Sequence, residues 1–279
     1  MNEDELARLL AHMREKTRQV EGRKLLRETR TRIGAIRDLI DRLRVAKGGV
    51  MSAVDKRFDS TQTFQPSTMI LTQLRLAIHY AQAADEGGFL TGGSRPPTLS
   101  SFVVLRAAIE CTASAHWLLS GKNQRESIER VLKRMWWDTV SAAEMATIAD
   151  GDADRTALRG LEDRIAEISR PVKGLAPETI ISSKRMSLST IVAEAGASLR
   201  PEYPTQMHAG WMLCSGISHG NLPVSAGVGI SPELVQHPSR HSLDIGTYAF
   251  VFAATVEDLH ATTLLFERRA SEEHEHPGS

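Results

Sequence analysis

Arg106 and Glu110 stand four residues apart in a segment that is otherwise almost wholly apolar: Phe102, Val103, Val104, Leu105, Ala107, Ala108, Ile109, Cys111, Trp117, Leu118 and Leu119. That spacing puts the two charges on one helix face, with Ser114 one turn further on. A helix apolar on most sides is buried, so its charges must pair or line a cleft; an unpaired buried charge costs on the order of 3–5 kcal/mol. One reading is an arginine that grips a phosphate, with a glutamate that orients it or takes a proton. The other is an ion pair that stitches helices together. A second polar stripe follows at His208, Met212, Ser215 and His219. His219 precedes Gly220 at a helix end, where the dipole favours imidazolium and suits it to acid–base work. His208 and His219 are about 16 Å apart along such a helix and do not share one ion.

Two further groups carry weaker signals. Arg130, Lys133, Arg134 and Trp137 share a face, and basic side chains interleaved with an indole can hold a nucleic-acid backbone and stack a base. Long basic stems covering Trp137 explain the same pattern. Thr72, Arg75, His79 and Gln82 read as the solvated face of their helix. There is no phosphate loop of the G-x-x-x-x-G-K-S/T kind, no G-x-S-x-G, no H-E-x-x-H and no dinucleotide fingerprint. Cys111 and Cys214 make neither a disulfide framework nor a zinc site by themselves. The tail His274–Glu275–His276 is a poor metal site, and the reading includes no cofactor and no metal.

The elements that must position these groups are helical. The 279 residues are 41% hydrophobic and only 5% aromatic, and the β-branched, aromatic runs of a sheet are missing. Apolar seams at Leu6, Leu9, Leu10, Met13 and Val20, then at Ile33, Ile36, Ile40 and Leu43, predict two amphipathic helices or one kinked helix, weakened at Gly22 and Gly34. Further helices are predicted from Ser67 to about Ala84, Ser100 to Ser120, Asn123 to Ala149 with an Asn123/Glu126 capping box, around Leu158–Ile168, over 187–197, from Thr205 to His219, and from Leu243 to about Arg269. The predicted organisation is a basic N-terminal arm (1–47), a linker (48–66), an all-α multi-helix bundle (67–270) and a disordered tail (271–279). Thirteen Lys and Arg against eight Asp and Glu make the arm basic, while the whole chain is neutral.

The chain opens with acidic residues and no apolar leader, and the charge-poor stretch 203–232 is broken by His208, His219 and Pro223. A cytoplasmic protein without a membrane span is expected. The arm's seams call for a partner surface, within the bundle, in a second copy or in another protein bound through residues 1–47, so a dimer is expected.

The succession R-A-A-I-E at Arg106–Glu110, H-W-L-L at His116–Leu119, R-E-S-I-E-R at Arg125–Arg130 and C-S-G-I-S-H-G at Cys214–Gly220 resembles a group of bacterial, actinobacterial-type helical proteins. That group is distantly similar to the HEPN superfamily of helical bundles, and the likeness covers about residues 68–267. It implies a HEPN-like fold and a metal-independent ribonuclease or defence/toxin protein acting on RNA or nucleotides, with His219, Arg106 and Glu110 as the catalytic set. Active HEPN nucleases carry an Arg four to six residues before a His. Met212, Leu213 and Cys214 occupy those places before His219, so Arg106 must supply the arginine from another helix. Whether the protein is an enzyme stays open. The alternative is a catalytically inactive helical module for protein interaction or oligomerisation.

Overall fold

The computed structural model describes residues 3–58, 65–89, 99–150, 156–221 and 245–272, with side chains from Thr17 onward except 87–89 and 150. Among the described residues there are ten helices and no strand element. They are α1 (Glu3–Arg42), α2 (Val50–Asp55), α3 (Pro66–Phe89), α4 (Leu99–Leu119), α5 (Gln124–Asp150), α6 (Thr156–Ser169), α7 (Pro177–Ile181), α8 (Leu188–Leu199), α9 (Gln206–Ser218) and α10 (Ile245–Ser271). The all-α expectation therefore holds. Residues 222–244 and the tail histidines lie outside the described residues.

The chain divides into two compact units. The first comprises residues 1–42, 74–113 and 192–263; the second comprises 43–73, 114–191 and 264–279. Helices α3, α4, α8 and α10 contribute residues to both.

In the first unit, α1 is a single 40-residue helix and not two. Leu26, Ile33, Ile36 and Ile40 are buried along one seam, whereas Val20 is 67% exposed. Gly22 does not break the helix. A Cβ placed there would lie 3.0 Å from the Gly246 backbone, so the glycine lets α1 and α10 touch. Arg30 is bidentate on Asp85, at 2.7 and 2.8 Å, and Arg32 reaches Glu257 at 3.1 Å. At the centre, Tyr248 is fully buried, meets the Phe102 ring edge-on at 5.1 Å, stacks with Phe252 at 5.9 Å and donates its hydroxyl to Ala84 O. A buried tyrosine needs such an acceptor.

In the second unit α5 packs against α2, α6 and α7, and Leu161, Ile165 and Ile168 give α6 its buried stripe. The start of α5 carries the expected capping box, with one change. Glu126 N–H bonds to Asn123 Oδ1 at 2.9 Å, but the Glu126 carboxylate returns to the Lys122 N–H, also at 2.9 Å. That backbone bond holds the Glu126 carboxyl below the usual range, with Arg130 adding to it. Helix α2 falls in the stretch read as a linker, and α7 falls between the helices predicted around Leu158–Ile168 and over 187–197. Both are too short to signal themselves by periodicity.

By length and hydropathy α4 and α10 could each cross a membrane, yet 67% and 61% of their most apolar windows are buried within the protein. Core helices of this kind pass the same test.

Candidate functional site

Residues 99–113 of α4 and the whole of α9 belong to the first unit, and there they bring together Arg106, Glu110, Trp211 and His219. The helical i,i+4 spacing sets Arg106 Nε to donate to Glu110 Oε1 at 2.8 Å. The same Glu110 oxygen accepts Trp211 Nε1–H, also at 2.8 Å. The Arg106 guanidinium carbon lies 5.4 Å from the centre of the Trp211 ring, within cation–π range. Arg106 Nη1 then reaches His219 Nε2 at 3.3 Å. Among the described residues, Nη2 has no partner.

The position of His219 follows from how α9 ends. Gly220 has φ +67, the Gly220 N–H bonds to Ile217 O at 3.1 Å, and the Asn221 N–H bonds to Gly216 O at 2.8 Å. This is the Schellman arrangement, which requires a residue tolerant of left-handed φ after the cap. His219 is that cap, and its imidazole is exposed. A guanidinium has no acceptor, so in this contact Arg106 is the donor and a lone pair on Nε2 is the acceptor.

Arg106 and Glu110 keep side-chain exposures of 23% and 21%, so the cluster is braced from below and reachable from solvent. Glu110 has donors on Oε1 from two directions, which makes it a positioning group for Arg106. Cys214, on α9, is pushed up to about 12 by burial although Arg106 pulls the other way. It remains a thiol and supplies no nucleophile.

Sequence spacing named Arg106, Glu110 and His219, and the structure brings these three into one cluster. It did not name Trp211. The stripe read as His208, Met212, Ser215 and His219 runs instead through Trp211, equally consistent with steps of three and four. Met212 points outward, 56% exposed, and His208 stacks on Trp211 with ring centres 6.0 Å apart.

Ser114 belongs to the second unit, where it is buried and accepts Arg134 Nη1 at 3.4 Å. The α5 face proposed to hold nucleic acid is internally paired. Arg130 bonds to Glu126 at 2.6 Å, Lys133 to Glu129 at 2.7 Å and Arg134 to Asp138 at 2.7 Å. Trp137 is 5% exposed, and its indole N–H is bonded to Ser183, so its ring has no face for a base. Thr72, Arg75 and His79 are exposed and Gln82 is half-buried, as a solvated face should be.

Chemically, the cluster offers a proton acceptor at His219 Nε2 and a rigid guanidinium beside it. Those are the two groups needed to take a proton from a hydroxyl and hold an anionic phosphorus centre without a metal. Comparison with protein-family models, with characterised proteins and with solved structures finds no match for this chain.

Proposed function

We propose that the Arg106–Glu110–His219 cluster is the centre of a metal-independent, HEPN-like ribonuclease. The observation that carries the reading is the 3.3 Å approach of Arg106 Nη1 to His219 Nε2 at a solvent-accessible surface. In this proposal an RNA phosphodiester draws Arg106 Nη1 and Nη2 onto its oxygens, which releases the His219 Nε2 lone pair. His219 Nε2 takes the proton of the neighbouring 2′-hydroxyl as the 2′-oxygen bonds to phosphorus. The P–O5′ bond breaks, the proton passes to the departing 5′-oxygen, and a cyclic phosphate remains. Glu110 and Trp211 hold the guanidinium plane and do not touch substrate. Dimerisation, an RNA or nucleotide partner, a protein partner engaged through residues 1–47 and a cytoplasmic location belong to the same proposal.

A second reading is favoured by a specific observation: Arg106 already has its own partners in Glu110, Trp211 and His219. A cluster satisfied in this way also fits a catalytically inactive oligomerisation or interaction module. The deciding experiment incubates end-labelled total RNA with the protein in EDTA, with His219→Ala and Arg106→Ala alongside. The nuclease reading expects cleavage by the wild type that both substitutions abolish. Absence of wild-type cleavage, or equal cleavage by all three proteins, removes it and leaves the module.

A further inference from the structure

Ile109 precedes Glu110 on α4 and takes part in a different feature, a cavity of about 330 Å³ formed with α9 and α10 inside the first unit. Its deeper lining is buried, at Ile109, Met207, Val251 and Asp258, while Ala209 and Phe250 at its edge are exposed. An apolar cavity of roughly 150 Å³ holds one benzene ring, so this one has space for a ring and a short chain. It also falls within the range of ordinary small-molecule sites, roughly 300–1,000 Å³.

Asp258 is the only ionisable side chain among the lining residues, and it is 3% exposed. Its Oδ1 takes Arg200 Nε at 2.6 Å. Among the described residues, Oδ2 has no hydrogen-bond partner. Arg200 does not serve Asp258 alone, because Nη2 turns to Glu257 at 3.0 Å and to Ala254 O at 3.3 Å. Glu257 in turn holds Arg32 at 3.1 Å. The Thr255 hydroxyl is occupied by Val251 O. What the cavity presents is an apolar wall ending in one incompletely partnered carboxylate.

We infer that this cavity binds a small organic cation, a protonated amine on an apolar body of about one aromatic ring, with the ammonium directed to Asp258 Oδ2. A charge-assisted N–H···O bond is the strongest contact the site can make, and a neutral hydroxyl on the same body makes a weaker one. Burial, with the Glu257 carboxylate adding to it, holds the Asp258 carboxyl up at about 6 although Arg200 pulls the other way. The inference is independent of the ribonuclease reading, since none of its residues belongs to the Arg106 cluster.

Isothermal titration of the full chain at pH 7.5 tests it with three probes of one shape: 2-phenylethylammonium, 2-phenylethanol and 3-phenylpropanoate. The ammonium is expected to bind at least tenfold more tightly than the alcohol, and the carboxylate not at all. Asp258→Asn brings the ammonium down to the level of the alcohol. Ala254→Phe fills the cavity, leaves the backbone acceptor of Arg200 in place and abolishes binding of both; it decides the matter if Asp258→Asn fails to fold. No binding of the ammonium to the wild type, equal binding of all three probes, or unchanged binding to Ala254→Phe overturns the inference.

Discussion

Each of the two units holds an arginine that is ion-paired one helical turn away and laid over an indole. In the first unit Arg106 has Glu110 and Trp211; in the second Arg130 has Glu126 and Trp117, with the guanidinium 5.1 Å from the ring centre. Their exposures are close, 23% and 18%. What separates them is the destination of Nη1. In Arg130 it binds Trp117 O at 2.6 Å and Ser120 Oγ at 2.8 Å, satisfying carbonyl and hydroxyl groups that α4 leaves open at its end. In Arg106 it reaches a titratable ring that faces solvent. An Arg–Glu–Trp arrangement is thus common architecture in this protein, and the imidazole is what distinguishes a candidate site from a brace.

That contrast can be broken most sharply by substituting both arginines. Arg106→Ala is expected to lower RNA cleavage by roughly 10²–10³-fold, as removal of one charge-stabilising donor does, while costing about 1 kcal/mol or less in urea unfolding. Should Arg130→Ala lose cleavage to the same degree without loss of stability, the distinction fails.

A second test uses one buried titratable group from each unit. Burial, with the nearby Arg130 cation, holds His116 down at about 4 from 6.5. The unfolded chain therefore takes a proton that the folded chain refuses as pH falls through that window, and stability drops by about 3 kcal/mol. Asp258 runs the other way. Its folded value, about 6 against 3.8, makes the folded chain protonate first, so stability rises by about 3 kcal/mol as pH falls from 6 to 4. The two slopes nearly cancel in the wild type. His116→Gln should uncover a protein more stable at pH 4.5 than at 6.5, and Asp258→Asn one with the opposite trend, both read from urea midpoints.

Arg130→Ala itself is expected to cost about 2 kcal/mol, because Trp117 O, Ser120 Oγ and Glu126 each lose a charged donor, although Ser120 Oγ still donates to Trp117 O and Glu126 still accepts the Lys122 N–H. A change below half of that, by the same urea measurement, would make the brace dispensable. The smallest effect concerns the geometry of His219. Gly220→Ala should cost about 1 kcal/mol from its left-handed φ, and it should lower cleavage more than its thermal melting shift explains.

Much of this was legible in sequence because helical spacing is a local property. Arg106 and Glu110 were found by the four-residue interval inside an apolar run, and Gly220 marked where α9 stops. The same interval is present in Glu126–Arg130, Glu129–Lys133 and Arg134–Asp138, but that face is read from its basic residues and Trp137, and the structure pairs each of those cations with its carboxylate. What spacing could not provide was the choice between Trp211 and Met212. Adjacent residues on a helix both satisfy a three-or-four rule, and only the neighbouring α4 decides which one turns inward. The short helices α2 and α7 depend on packing for their existence. The seam at Ile33, Ile36 and Ile40 was visible, but the residues its helix meets, Asp85, Gly246 and Glu257, lie far along the chain.

The contact between Gly22 and Gly246 has a consequence for register. Sliding α1 by one turn would bring Arg18 or Leu26 to the place where the α10 backbone leaves no room for a Cβ. The long helix therefore has a single seating, set where two backbones meet and not by the sum of many interchangeable apolar contacts. Thr247 and Phe250 follow Gly246 within about one turn and line the Asp258 cavity. The mouth of that cavity is gauged from the same backbone crossing, so a methyl group added at Gly22 would act on it like a shim.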